Sequence, residues 1–230
     1  MELSNRLKVV AAFVTAGYAV ADIGTDHGYI PIYLAKNGSP RVLAMDINEG
    51  PLSRAADHIK SYHLESIIET RISDGMQNLN SDEVQSVVLA GMGGALVIRI
   101  LSDWPEVTAA IEEFVLQPQS ELVKVREYLQ INNFIVQEEE MVLEEGKFYP
   151  VMHIKHGYEA PYTPMELRYG RRLLKAKHPL LHQYITREIE QKEQLLSQLA
   201  KLQSEAAAER RRDIEAELIC SREALERIAK

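Results

Sequence analysis

Cysteine is nearly missing from this chain: Cys220 is the single one among 230 residues. One thiol excludes an internal disulfide framework and fits a reducing, cytoplasmic setting. No run approaches the ~18 consecutive apolar residues of a membrane span, so no membrane partner is expected. Around Glu2, Arg6 and Lys8 the N-terminus also lacks the apolar stretch of a secretory signal. Metal-ligand spacing is absent as well. His153 and His156 flank a strand-like run, and His178 and His182 stand four apart with no cysteine or acidic ligand beside them, so no metal is expected.

What is present is an ordinary globular composition, 46% hydrophobic, with a net charge of −8. The charge is unevenly spread. Residues 1–160 carry 12 Lys and Arg against 23 Asp and Glu, net −11, while residues 161–230 carry 14 against 11, net +3. Two domains are expected, 1–160 and 161–230, facing different partners.

Leu3, Leu7, Val10, Phe13 and Val14 share one helical face, which predicts a leading helix over 2–16 ended by Gly17. Strand-like runs then follow at 18–23, 41–46, 67–72, 84–90 and 114–116, with helical patterns at 29–36, 49–63, after Gly94 and up to Leu129. Five alternations of strand and helix predict a largely parallel sheet with helices on both faces. Two extended runs, 134–143 and 147–156, joined by Glu144-Glu145-Gly146, read as an antiparallel hairpin. Seven strands result, against six in a plain dinucleotide-binding fold. Beyond Pro161 no strand-like run remains. Pro179 suits the first turn of a helix to about Gln203, and Ile214, Leu218, Leu225 and Ile228 mark a heptad seam on a second helix, with Ser221 in a core slot. The two can close on each other as an antiparallel hairpin or pair with another chain, so a monomer or weak homodimer is expected.

In an open parallel sheet the ligand lies outside the carboxyl ends of the strands. The first strand ends in Asp22, Gly24, Asp26 and Gly28, the second in Asp46, the third in Asp74 and the fourth in Gly91, Gly93 and Gly94. Asp46 stands 22 residues after Gly24, the distance at which an acidic side chain meets a ribose. A dinucleotide would set its pyrophosphate at the helix N-terminus, where Asp26 repels it. S-adenosylmethionine carries an ammonium and a ribose but no phosphate, and an acidic rim suits it. Thr25, His27, Ile47, Gly75 and Ala90 adjoin these positions and are expected to touch the same cofactor.

The runs ADIGTDHGYIP, SDGM, AGMGG and LQP, with the Asp46 strand end and the helical tail, resemble the bacterial tRNA (adenine-22-N1)-methyltransferase family. The resemblance spans nearly the whole chain. It implies an α/β, Rossmann-like, seven-stranded S-adenosylmethionine-dependent methyltransferase domain with a C-terminal helical coiled-coil arm, acting on N1 of adenine 22 in tRNA. It also places Arg6 near the active site, with Tyr29 as a further substrate contact. One position departs, because Gln119 follows Pro118 where the resemblance predicts Asn.

Ring nitrogen N1 is a lone-pair nucleophile at neutral pH, so the chemistry asks for alignment and negative potential rather than a base. Asp26 is the first candidate to face the adenine, its alternative being a cap or a contact to the cofactor amine. Met92, in a glycine loop that replaces the Asn/Asp-Pro-Pro-aromatic motif of exocyclic amino methyltransferases, is a second candidate. Arg168, Arg171, Arg172 and Lys175 are expected to meet RNA phosphates. A nicotinamide-dependent oxidoreductase and a non-catalytic coiled-coil adaptor stand as alternatives.

Overall fold

A computed structural model of the chain describes residues 2–229. Its sheet contains β1 (Val20–Ile23), β2 (Val42–Asp46), β3 (Ile68–Ile72), β4 (Ser86–Met92), β5 (Glu113–Pro118), β6 (Phe134–Glu144) and β7 (Lys147–His156). The order is β3-β2-β1-β4-β5-β7-β6, parallel except for β7, which runs antiparallel to β5 and β6. The expected seven strands and closing hairpin are therefore present.

Successive side chains of a strand point to opposite faces, and two cores follow from that rule. Val20, Val42, Ala44, Val88 and Val115 pack beneath α1 (Asn5–Ala12), α2 (Tyr29–Lys36) and α3 (Glu49–Ser61). Ala21, Ile23, Leu43, Met45, Leu89 and Leu116 pack beneath α4 (Gly94–Asp103), α5 (Pro105–Ala110) and α6 (Leu122–Ile131). Burial on both faces explains why the central strands read as unbroken apolar runs.

Three expectations need correction. The leading helix begins only after Ser4, whose hydroxyl accepts from the Leu7 amide at 3.4 Å, and it yields after Ala12 to a turn through Gly17, so it is shorter than 2–16. Strand and helix do not alternate throughout, because residues 73–85 join β3 to β4 through turns alone. α5 was not anticipated.

Glu113, wholly buried at the start of β5, accepts from the Thr15 amide at 2.8 Å and hydroxyl at 2.6 Å and faces His153 at 3.0 Å. Burial alone would raise its pKa, but the bonds from His153 and Thr15 hold it at about 2. This anchor fixes the chain just beyond α1, the helix that carries Arg6.

Residues from Pro161 onward form a second compact unit. It contains α7 (Pro164–Tyr169), α8 (Arg171–Lys175), α9 (Pro179–Leu199) and α10 (Glu205–Ala229). Thr163 and Glu166 cap α7 reciprocally, and Pro179 occupies the first turn of α9. α9 and α10 run antiparallel, with Glu188 opposite Ser221 and Lys192 opposite Glu217.

α10 buries Ala207, Ile214, Leu218, Ser221, Ala224 and Ile228, while Leu225 is only half-buried. The buried stripe recurs every seven residues at 207, 214, 221 and 228, with Leu218 and Ala224 between them, so Ala224 rather than Leu225 is covered in the last turns. Ser221 interrupts the apolar seam because its hydroxyl meets the Tyr169 hydroxyl at 2.7 Å and the Glu217 carbonyl at 2.9 Å.

Candidate active site

Strand order reverses between β1 and β4, and at their carboxyl ends a cavity of about 520 Å³ opens. Its walls are Ser4, Arg6 and Leu7 at the start of the chain, Asp22, Gly24, Asp26, Tyr29 and Ile30 around the first loop, and Ala90, Gly91 and Gln119 from the next strands. Glu144, Glu145 and Tyr149 close it from the tip of the β6–β7 hairpin. A second cavity of about 430 Å³, among Leu101, Tyr128, Phe134 and His156, lies at the other end of the sheet and holds none of the strand-end acids.

Gly24 sets the floor. Its φ is +77°, and a Cβ there would stand 2.6 Å from Met92 Cε, so both backbone conformation and space require glycine. Gly24 and Thr25 donate their amides to the Met45 carbonyl at 2.8 and 2.9 Å, which pins the loop to β2. Gly91, at φ +80°, sits where the β4–β5 register shifts, and this turns the strand end into the cavity. The same shift leaves Met92 packed against the α4–α6 core rather than lining the cavity. Met92 thus stands as a wall behind Gly24.

Asp22 shares the α1–α3 side of β1 with Val20 and is 5% exposed. Burial drives its carboxyl up to about 7, with the Thr25 hydroxyl partly opposing and the Asp46 charge adding to the rise. Asp26 is exposed, and Arg54 donates to it at 2.9 Å. His27 stacks on Tyr29 with ring centroids 5.3 Å apart, and its carbonyl lies 3.0 Å from His58 Nδ1. Gly28 and Gly93 begin α2 and α4.

Asp46 ends β2 and accepts the Asn48 amide at 2.7 Å, beside an exposed Ile47. Asp74, next to Gly75, pairs with Arg99 at 2.7 Å. Neither Asp46 nor Asp74 lines the cavity, but both stand at neighbouring strand ends.

Arg6 Nη1 donates to Gln117 Oε1 at 2.8 Å, its Nε lies 3.5 Å from Glu144, and its guanidinium sits 5.2 Å from the Tyr149 ring centroid. Gln117 is wholly buried and also accepts the Gly91 amide at 3.2 Å, so one carboxamide ties α1 to the β4 loop. Glu144, Glu145 and Tyr149 went unread in the sequence. They reach the cavity because β7 returns antiparallel along β5, a pairing that brings residue 144 beside residue 6.

A family model described as a methyltransferase domain matches residues 3–152. The tRNA (adenine(22)-N(1))-methyltransferase of Bacillus subtilis (strain 168) is 31% identical over 206 residues, covering 87% of this chain and 87% of its own. The chain belongs to the tRNA (adenine(22)-N(1))-methyltransferase family. Among solved structures, Streptococcus pneumoniae Sp1610 in complex with S-adenosyl-L-methionine is similar at TM-score 0.88 and 29% identity, covering 97% of this chain and 100% of that one. M. capricolum TrmK in complex with S-adenosyl-homocysteine is similar at TM-score 0.86 and 25% identity, covering 99% and 100%. The family's expected seven-stranded Rossmann-like architecture is thus met in this chain.

Four expected substrate residues of this family member lie in the helical unit. Arg168 is bonded to Glu188 at 2.8 Å and Glu217 at 2.9 Å. Arg171 is bonded to Glu166 at 3.1 Å and the Pro161 carbonyl at 2.8 Å, and it lies 4.0 Å from the Tyr162 ring centroid. Both guanidinium groups are bonded within the unit, so an RNA phosphate would meet them in competition with these glutamates. Arg172 is half-buried and Lys175 exposed. Among the described residues no cluster could hold a metal, and no helix is long and apolar enough to cross a membrane.

Proposed function

We propose that this protein methylates N1 of adenine 22 in tRNA, with S-adenosyl-L-methionine as the methyl donor. The observation that carries the reading is the composition of one cavity at the strand-order reversal: the buried Asp22 carboxyl, the more open carboxylates of Asp26, Glu144 and Glu145, two aromatic rings and a glycine floor. That donor set fits the cofactor. Asp22 would meet its ammonium, and Asp46 and Asp74 with Gly75, at the neighbouring strand ends outside the cavity, would hold its ribose hydroxyls and its adenine, while Gly24 keeps the floor open. A pyrophosphate would find Asp26 beside the start of α2 and no cation in the loop.

When bound, the sulfonium supplies an activated methyl group that an unprotonated ring nitrogen takes without a base. The chain's residues have to align the base and favour the positive charge that develops on it. Asp26 supplies negative potential beside the purine. Tyr29 and Tyr149 offer flat walls, and Gln117 holds Arg6 in place through its two accepted bonds. His27, stacked on Tyr29, stiffens the first wall.

Residues 161–230 serve as the RNA-gripping arm, with the exposed Lys175 as a phosphate contact. The protein works in the cytoplasm, as a monomer or weak homodimer. Incubation with methyl-labelled S-adenosyl-L-methionine and unmodified tRNA, followed by nucleoside mapping, tests the reading. The label is expected in 1-methyladenosine at position 22. Unlabelled RNA, together with a thermal shift on adding NADH, would favour the oxidoreductase instead.

A further inference from the structure

Gln119 is held and unused. Its amide donates to the Met92 carbonyl at 2.8 Å and Pro118 precedes it, so its backbone is fixed against the β4 loop. Its side chain is exposed, lines the cavity, and forms no hydrogen bond among the described residues. Nε2 lies over Gly91, 3.9 Å from where a Cβ on that glycine would stand.

The reaction limits how the base can be gripped. Adenine shows N1 and the 6-amino group on one edge, and the 6-amino group and N7 on the other. A methyl acceptor at N1 must leave the first edge uncovered, so recognition falls to N6 and N7. A carboxamide matches that pair, its oxygen accepting from the amino group and its nitrogen donating to N7. Guanine offers two acceptors there, O6 and N7, which no orientation of one amide satisfies.

Among the exposed side chains of the cavity, Gln119 alone presents a donor and an acceptor in one plane. Asp26, Glu144 and Glu145 are acceptors when ionised, and Arg6 is bonded to Gln117 and Glu144. We infer that Gln119 is the base-specificity contact, its carboxamide bridging N6 and N7 of the target adenine while N1 faces the methyl donor. This inference rests on the methyl-transfer reading above.

The test disrupts the contact from each side, by replacing N7 with C–H in the base and by removing the carboxamide from the protein. The unaltered protein and Gln119→Ala are each assayed on tRNA and on the same tRNA carrying 7-deazaadenosine at the target position. The unaltered protein should lose about tenfold to a hundredfold in kcat/KM on the 7-deaza substrate. Gln119→Ala should show a similar loss on ordinary tRNA and no further loss on the 7-deaza substrate. S-adenosylhomocysteine affinity by calorimetry should be the same for both proteins, which shows that the variant's cofactor site is intact. Equal rates of the unaltered protein on both tRNAs, or a persisting 7-deaza penalty in Gln119→Ala, would overturn the assignment. Methylation of neither tRNA by the unaltered protein would instead bring down the reading beneath it.

Discussion

Two carboxyl groups, the buried Asp22 in one unit and the half-buried Glu188 in the other, sit in opposite circumstances. Glu188 in the helical unit is ringed by Arg168, Lys192 and the Tyr169 hydroxyl, and despite burial, which would raise it, these partners lower its pKa. Asp22 in the catalytic unit has the burial without the cation, and its carboxyl rises to about 7. The helical unit completes its own electrostatics, whereas the site leaves a carboxyl whose missing partner a cationic ligand can supply. Such a difference separates ion pairs that hold a fold from groups kept for function.

Removing residues 161–230 should show the largest effect. Loss of the arm's phosphate contacts is expected to lower kcat/KM on tRNA by about a thousandfold or more while S-adenosylhomocysteine still binds. Full activity of residues 1–160 would end the arm assignment. Next is Asp46→Ala, which should weaken S-adenosyl-L-methionine about a hundredfold through loss of charge-assisted bonds to the ribose. Unchanged affinity by calorimetry would remove Asp46 from the ribose.

Asp22→Asn sharpens the contrast from the stability side. Because the folded pKa lies above the ordinary 3.8, the native state's advantage is complete below about pH 4 and declines as pH rises through 7, by about 4 kcal/mol in all. The variant should lack this decline and unfold at higher denaturant concentration than the unaltered protein at pH 8. In the other unit, Arg168→Met should cost about 3 kcal/mol, because Glu188 and Glu217 lose a cation without losing their burial. A melting temperature equal to that of the unaltered protein would show that Lys192 alone suffices.

The smallest effect belongs to Arg54→Gln. Its pair with Asp26 is exposed and contributes no more than ~1 kcal/mol to stability. Its readout is the salt dependence of kcat/KM, which should flatten by about one unit of slope if the arginine leaves Asp26 for a phosphate.

Much of the fold could be read locally. The strands announced themselves as apolar runs because both faces are buried, and the hairpin through its turn between two extended segments. What escaped depended on non-local packing. α5 is a six-residue helix after Trp104, too short to show a period, whereas the helix-free path from β3 to β4 is marked in sequence by Gly75 and by Asn78, Asn80, Ser81 and Asp82.

At the site, Asp22, Gly24, Asp26 and Gly91 were legible because each lies at or just past the carboxyl end of a strand. Tyr149 and Glu144 were not, since only the return of β7 along β5 brings them to Arg6. The ion pairs of Arg168 and Arg171 were hidden for a related reason: a basic cluster in sequence does not reveal the glutamates that fold against it.

The contrast between the two carboxyl groups is tested most directly by calorimetric titration of S-adenosylhomocysteine between pH 6 and 7, in buffers of different ionisation enthalpy. If Asp22 waits for the ligand's ammonium, binding releases up to one proton, and Asp22→Asn binds more weakly with no release. Binding without proton release, or the same release from Asp22→Asn, would contradict the account.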